Sequence, residues 1–405
     1  MDHTFPPSLQ TTRDLRQSNQ QTLLRLIYFN ELVSRLELSE LSGLSPATVT
    51  NLVANLIQAD IVVSDGVQES QGGRPRTRLT INPEFGRFVG VEVAETHIYT
   101  ALYDMRLHKL DELHIDVSTD ENRPAMIADY IAQSVKKLLF QFNIPDGKVQ
   151  AVGIGMPGIV SRAGGVSIFA PNWGWHDVPL LDMLQTQLEM PIQLDNGMQA
   201  LALAEHWFGA GREVNNLAAL LMGTGVAAGI IIDGQLYRGV TNSAGEWGHS
   251  CVAIDGPPCR CGSCGCIETF IGAPGIIRQL SEINPGHQAL KCASQQAILK
   301  AICDAALTGD PACSQALDQT AHYLAVGIAN IINLFNPQLI VIGGWCGVQI
   351  SAYVFPKFEP MVGKYALSEP FNAVKMSMTQ FGGEGAIGLG AASLALESFL
   401  MRYAT

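Results

Sequence analysis

The chain has 405 residues, of which 47% are hydrophobic and 15% charged, and its net charge is −12 at pH 7. That length calls for two or three domains, and the composition is that of a globular protein with large cores. The acidic balance argues against broad nucleic-acid binding but leaves room for a small DNA-reading module. No apolar run reaches the length of a membrane span, and the N-terminus lacks a signal-peptide pattern, so the cytoplasm is the expected compartment, without membrane insertion.

Residues 1–85 read as one unit. Leu23, Leu24, Ile27 and Tyr28 have helical spacing, which predicts a helix over about 17–29. Ser34 precedes a second helix carrying Leu36, Leu38 and Leu41, and Gly43 ends it. Ser45 caps a third, with Pro46 in its first turn. Along that helix Val49, Leu52, Val53 and Leu56 form an apolar stripe. Ser45, Ala47, Thr48, Thr50, Asn51 and Asn55 lie on or beside the other face, small groups suited to the edges of bases in a major groove. Two helices joined by a short turn with glycine make a helix-turn-helix. Ile61–Val63 and Arg78–Ile81 read as a strand pair around the loop QESQGGRPRTR, giving a winged helix-turn-helix. Arg74 and Arg76 in that wing suit a narrow minor groove. The competing reading is a helical interaction module with a solvated basic loop. Seven arginines face nine acids before residue 87, so affinity for DNA has to rely on dimerisation and the wing.

From Arg87 the texture becomes α/β. FVGVEVAETHIYTALYD reads as a hairpin, residues about 124–143 as a helix, and AVGIGMPGIV as a buried strand ending in a Pro-Gly turn. PIQLDNGMQALALAEHWFGAG is a strand running into a helix. LAALLMGTGVAAGIIIDGQLYRG holds two strands about Gly223-Thr224-Gly225, a phosphate cradle or an ordinary hairpin turn. LIVIGGW is a further strand. The GGEGAIGLGAA stretch near Gly388 is equally ambiguous: a phosphate cradle, or small residues that permit close helix packing. No long internal repeat is visible. The domain limits follow as 1–85, 86–193 for a first α/β lobe, and 194–405 for a second, with the C-terminal helix returning to the first lobe.

The densest chemistry lies in EWGHSCVAIDGPPCRCGSCGCIE, residues 246–268, which places His249, Cys259, Cys261, Cys264 and Cys266 beside Glu246 and Glu268. A histidine and several thiols this close are zinc-type ligands, and four close a tetrahedral site. The four cysteines beyond this stretch, Cys292, Cys303, Cys313 and Cys346, are scattered, which indicates one metal site plus buried thiols and no disulfide framework.

Taken in order, MGTGVAAGIIIDGQLYRG, AGEWGH and CRCGSCGCIE resemble the ROK family of repressors and sugar kinases, over nearly the whole chain. With the helix-turn-helix and the GGRPR wing, the chain looks like that family's regulators of the xylose-repressor, Mlc and NagC type. The resemblance implies a two-lobed actin-like ATPase fold. It implies a structural Zn2+ on His249, Cys259, Cys261 and Cys266, with Cys264 in place of His249 as the alternative. It also implies a sugar held by Asn172, Asn196, Glu246, His249 and Glu268, with a purely structural partnership of these groups with the loop as the less favoured alternative. Trp173 and Trp175 suit either sugar stacking or core packing.

Two departures separate the chain from the kinases. The position matching their catalytic Asp, a general base, is Gly197, with Asp195 two residues earlier. Their Asp-x-Gly-Gly-Thr phosphate loop is Glu92-Val93-Ala94-Glu95-Thr96, which puts the charge of Glu95 where ATP phosphates sit. The expectation is therefore no catalytic residues and a sugar-responsive repressor that binds an operator as a homodimer or higher oligomer. A regulator captured by a protein partner and an active kinase with an added DNA module are the alternatives, and the APNWGW segment favours direct control by sugar. Activation instead of repression stays open.

Overall fold

The computed structural model describes residues 12–68, 76–118, 122–162, 164–170, 173–381 and 385–402. The N-terminal unit starts with α1 (Thr12–Phe29), followed by β1 (Val33–Ser34), α2 (Arg35–Ser42) and α3 (Pro46–Gln58). Helix α1 begins before residue 17 because its first turns are polar and show no apolar period. Ser34 and Glu37 form a reciprocal capping box, and Gly43 ends α2 at φ 68°. The Ser45 hydroxyl accepts the Thr48 N–H at the start of α3, whose stripe of Val49, Leu52, Val53 and Leu56 is buried. Strand β2 (Val62–Gln68) pairs antiparallel with β3 (Arg76–Ile81), and β1 joins the other side of β3. Arg74 and the side chain of Arg76 lie outside the described residues.

The first lobe opens with the antiparallel β4 (Arg87–Val93), β5 (His97–Tyr103) and β6 (Lys109–Asp116). Helix α4 (Pro124–Gln141) leads to β7 (Val149–Met156), parallel to β4. A small antiparallel sheet of β8 (Ile159–Ser161), β9 (Val166–Ala170) and β10 (Trp175–Val178) follows, then α5 (Leu180–Gln185) and β11 (Ile192–Asn196). Strand β11 lies parallel to β7, so the first sheet runs past the boundary expected at residue 193.

Helix α6 (Gly197–Phe208) crosses to the second lobe, which opens with β12 (Leu217–Met222), β13 (Val226–Ile232) and β14 (Gln235–Leu236). Four helices follow: α7 (Glu268–Ile271), α8 (Ala273–Ile283), α9 (Gln295–Leu307) and α10 (Pro311–Phe335). Then come β15 (Leu339–Gly343), α11 (Trp345–Val362), α12 (Ser368–Ala373), β16 (Lys375–Met378) and α13 (Ala386–Arg402).

The two large sheets have one plan. Their strand orders are β11-β7-β4-β5-β6 and β16-β15-β12-β13-β14. In each, three antiparallel strands are followed by two parallel ones. The body is thus a duplicated α/β unit, although no repeat is visible in the sequence. Helix α13 leaves the second lobe and packs on β4 and β7 of the first and along α6. Two glycines permit this close fit. A Cβ on Gly153 would stand 1.8 Å from the Ala391 carbonyl oxygen, and one on Gly390 would stand 1.9 Å from that of Ala200.

One apolar cluster runs from Leu23, Leu24 and Ile27 of α1 through Tyr103, Met105 and Trp207 to Leu396 and Phe399 of α13. The N-terminal unit therefore shares a core with the body. Among the described residues, no helix is long and apolar enough to cross a membrane.

Candidate functional site

The loop between β14 and α7 folds back on itself. Cys259 N–H donates to Ser263 O at 2.8 Å and Gly262 N–H to Cys259 O at 3.0 Å, while Gly262 and Gly265 take the left-handed φ values of 93° and 64°. This turn gathers one donor atom each from His249, Cys259, Cys261 and Cys266 within 4.8 Å of one another. Cys259 Sγ is 3.6 Å from His249 Nδ1, and Cys261 Sγ is 3.7 Å from Cys266 Sγ. Tetrahedral Zn–S and Zn–N bonds set S···N and S···S edges of about 3.5 and about 3.8 Å, so the donor set fits zinc without rearrangement. Cys264 is exposed, points to Ile254 O at 3.3 Å and lies outside the group, which counts against it as the fourth ligand. Of the scattered cysteines, Cys303, Cys313 and Cys346 are buried as expected, but Cys292 is exposed.

A second cluster, His287, Asp310 and Cys313, also brings its donor atoms together. Hydrogen bonding explains it without an ion. Ala289 N–H donates to His287 Nδ1 at 3.2 Å, which leaves the ring proton on Nε2, facing Asp310 Oδ2 at 3.3 Å. A metal on Nε2 would need the opposite tautomer and would set two N–H donors against each other.

The metal-side nitrogen of His249 is Nδ1. Its Nε2 faces Glu246 Oε2 at 3.9 Å, just beyond hydrogen-bonding reach. The Glu246 side chain is 36% exposed, and burial pushes its carboxyl above the usual range, against the pull of His249 and with the push of Glu268. Glu246 and His249 therefore offer an acceptor and a donor that one hydroxyl group, set to the side of both, can meet together.

Glu268 and Asn196 are more engaged. Glu268 is 8% exposed; its Oε1 accepts Arg260 Nε–H at 2.9 Å and its Oε2 accepts Val226 N–H at 2.9 Å. Asn196 caps α6, accepting Met198 N–H at 2.6 Å, and its amide donates to Gly158 O at 2.5 Å. Asn172 lies outside the described residues. Trp175 is core: it is 4% exposed, and its indole N–H donates to Asn122 O at 2.7 Å. Trp173 is partly buried and packs against it, the ring centroids 4.7 Å apart.

Gly197 is the first residue of α6. A Cβ there would meet nothing closer than Ile387 Cγ2 at 3.4 Å, so packing does not demand glycine. Asp195 lies two residues earlier, at the end of β11. It is 1% exposed and held by Arg238 Nη1 at 2.6 Å and Asn242 Nδ2 at 2.9 Å.

The Gly223-Thr224-Gly225 turn is closed by Gly223 N–H donating to Gly225 O at 2.8 Å. Arg260 lies over it, donating from Nη2 to Thr224 O at 3.3 Å, and its Nη1 reaches Glu95 of the first lobe at 3.7 Å. The charge of Glu95, uncompensated in the sequence reading, thus has a cation beside it. Burial still holds the Glu95 carboxyl above its usual range; Arg260 lowers it and Glu268 raises it.

Arg238 and Arg260 escaped the sequence reading, as did Gln199. The signals were an arginine between two thiol ligands and another at the end of a hairpin. Gln199 is 1% exposed and donates to Ala244 O at 3.0 Å. Its Oε1 and Arg238 Nη2 are buried without a protein partner among the described residues.

On α3, Ser45, Ala47, Thr50 and Asn51 are exposed, while Thr48 and Asn55 are half-buried. The hydroxyls of Ser45 and Thr48 face each other at 2.9 Å, and Thr50 Oγ1 donates to Pro46 O at 2.7 Å. Asn51 is the exposed amide left open on this face. Arg78 is paired with Glu37 at 3.3 Å.

A small helical unit that fits a DNA-binding domain, joined to a duplicated α/β body of two five-stranded sheets, defines a class that unites regulators with sugar kinases. The chain belongs to the ROK family, whose pattern it matches over residues 88–398. It is 33% identical over 336 residues to a xylose repressor of Caldicellulosiruptor bescii, which covers 81% of this chain and 83% of the relative. Among solved structures it resembles a ROK family transcriptional regulator described as a homologue of the E. coli MLC protein, with TM-score 0.83, 26% identity and coverage of 96% and 98%. A ROK glucokinase from Streptomyces griseus, solved with glucose and AMPPNP, matches at TM-score 0.64 and 28% identity, over 76% of this chain and 99% of that one. Its actin-like fold is shared by the body described above.

Proposed function

We propose that this chain is a sugar-responsive, DNA-binding transcriptional repressor whose body derives from a sugar kinase and no longer phosphorylates sugars. The observation that carries this reading is Gly197 at the position of the kinase base, where a Cβ would make only ordinary contacts. The phosphate turn adds to it: Arg260 lies over Thr224 and pairs with Glu95 where a nucleotide's phosphates need open amides. The similarity to a repressor over most of both chains agrees.

In this reading residues 1–85 form a winged helix-turn-helix, the first lobe runs from residue 86 through β11 to Asn196, and the second takes the rest of the chain. Ala47, Asn51 and their neighbours on α3 enter the major groove, and Arg74 and Arg76 the minor groove. Two copies in a homodimer read the halves of a pseudo-palindromic operator in the cytoplasm. A structural zinc on His249, Cys259, Cys261 and Cys266 stiffens the loop, as such sites do when all four positions are protein ligands. Bound through Nδ1, His249 presents Nε2–H to a sugar hydroxyl that Glu246 also meets.

A melting screen over D-xylose, D-glucose and N-acetyl-D-glucosamine, run beside an ATP-coupled turnover assay, tests this. A ligand that binds the native state raises the melting temperature by mass action. One sugar is expected to do so with no turnover. Sustained phosphorylation of any of them overturns the non-enzymatic reading, and a partner protein that alters operator binding where no sugar does overturns direct sensing.

A further inference from the structure

We infer that helix α6 is the element that carries the sugar signal to the DNA-binding unit, through contact of Trp207 with Phe29. The inference rests on the sugar-responsive reading above and adds the route.

One rigid helix touches both places. At its N-terminus, Asn196 caps α6, and Gln199 one turn on donates to Ala244 O at 3.0 Å, so the first turn of α6 touches the Ala244–His249 segment with Glu246, which β13 also holds through Ala228 N–H to Gly245 O at 2.8 Å. The twelve residues of α6 span about 18 Å at a helical rise of 1.5 Å each. At the far end, Trp207 is 8% exposed and meets Phe29, the last residue of α1, edge-on, with centroids 5.1 Å apart and planes at 74°. Phe29 in turn packs on Tyr28 at 5.1 Å. Arg25 of the same helix is near enough to His206 to help depress its pKa, after burial as the main cause.

Besides the shared apolar cluster, polar contacts also tie the DNA-binding unit to the body. Arg106 of the first lobe donates to Glu31 O at 2.8 Å and to the Thr80 hydroxyl, and Gln21 donates to Met401 O at 2.8 Å. These are polar contacts at the edges, whereas the Trp207–Phe29 pair lies at the junction where α1 ends. A sugar that draws the Glu246 segment inward pulls on Gln199. Helices in packed cores shift as units, typically by 1–2 Å at interfaces, so the movement reappears at Trp207 and bears on the end of α1.

The test uses the full-length native chain, Phe29→Ala and Trp207→Leu. The DNA is a duplex selected by the native chain from a random pool, and the sugar is the one of D-xylose, D-glucose and N-acetyl-D-glucosamine that most raises the melting temperature. Operator affinity is measured by anisotropy with and without that sugar, and sugar affinity by calorimetry. For the native chain, sugar is expected to weaken operator binding by roughly 10-fold or more, within the usual range of coupling. In Phe29→Ala, where the residue is 43% exposed and folding is little challenged, operator and sugar each bind about as in the native chain, but the change falls below about 2-fold. Trp207→Leu repeats this from the body side. Native-size coupling in the folded Phe29→Ala chain overturns the route while leaving the sugar-responsive reading intact. A native chain that binds the operator but responds to none of the three sugars overturns that reading and the route with it.

Discussion

Arg238 of the second lobe and Asp195 of the first meet at 2.6 Å, with the carboxylate side chain 2% exposed. This ion pair joins β11 of the first sheet to the segment after β14 of the second, two residues from Gly197. The same carboxylate also accepts the Asn242 amide at 2.9 Å. Removing Arg238 leaves a buried charge with only Asn242 and a backbone N–H as partners. Arg238→Met is expected to lower unfolding stability by about 3 kcal/mol, at the low end for a broken buried pair because Asn242 remains. Combining it with Asp195→Asn should recover part of the loss in a double-mutant cycle followed by urea unfolding.

Gly197→Asp is expected to fold, since a Cβ at that position has ordinary contacts. It should show no phosphorylation in an ATP-coupled assay, because Arg260 and Glu95 still occupy the phosphate turn. Turnover by this single variant would mean that the turn accepts nucleotide after all.

The metal centre gives a separable outcome. Purified native chain should carry about one zinc, as a closed Cys3His set does. His249→Ala and Cys261→Ala should lose it and melt earlier. Cys264→Ser should keep it and change stability by no more than about 0.5 kcal/mol, as exposed positions do. Loss of zinc in Cys264→Ser would reassign the fourth ligand.

The local parts of this architecture were legible in the sequence, and the long-range parts were not. The cap at Ser45, the stop at Gly43 and the grouping of His249 with Cys259, Cys261 and Cys266 arise over a few residues, so spacing alone exposes them. The contact of Arg260 with Glu95 joins residues from different lobes, and Asp195 with Arg238 does likewise; no periodicity marks such pairs. The lobe duplication lies in strand order, which sequence does not preserve. Glu268 and Asn196 look like free ligands in a motif, yet the fold gives their polar atoms to Arg260, Val226, Met198 and Gly158. Charge at Glu95 pointed to repulsion of ATP, whereas the structure sets a cation beside it.

That same residue gives a pH dependence. Burial raises the Glu95 carboxyl above its ordinary 4.5 in the folded chain. The folded state therefore takes up this proton before the unfolded state does as pH falls, and the carboxyl's penalty on stability disappears in acid. Glu95→Gln should melt higher than the native chain at pH 7, and the gap should close as pH falls towards 4.5. Thermal melts across that range read it directly; a gap that widens in acid would mean that the ion pair with Arg260 dominates.

The central claim is that sugar and operator act on one molecule through linked equilibria, and reciprocity tests it most directly. Calorimetric titration of the responding sugar into the native chain, alone and saturated with its operator duplex, gives two affinities. Their ratio should equal the factor by which the sugar weakens operator binding, roughly 5- to 150-fold for ordinary coupling, with the same sign. Sugar affinity unchanged by saturating operator would contradict the claim.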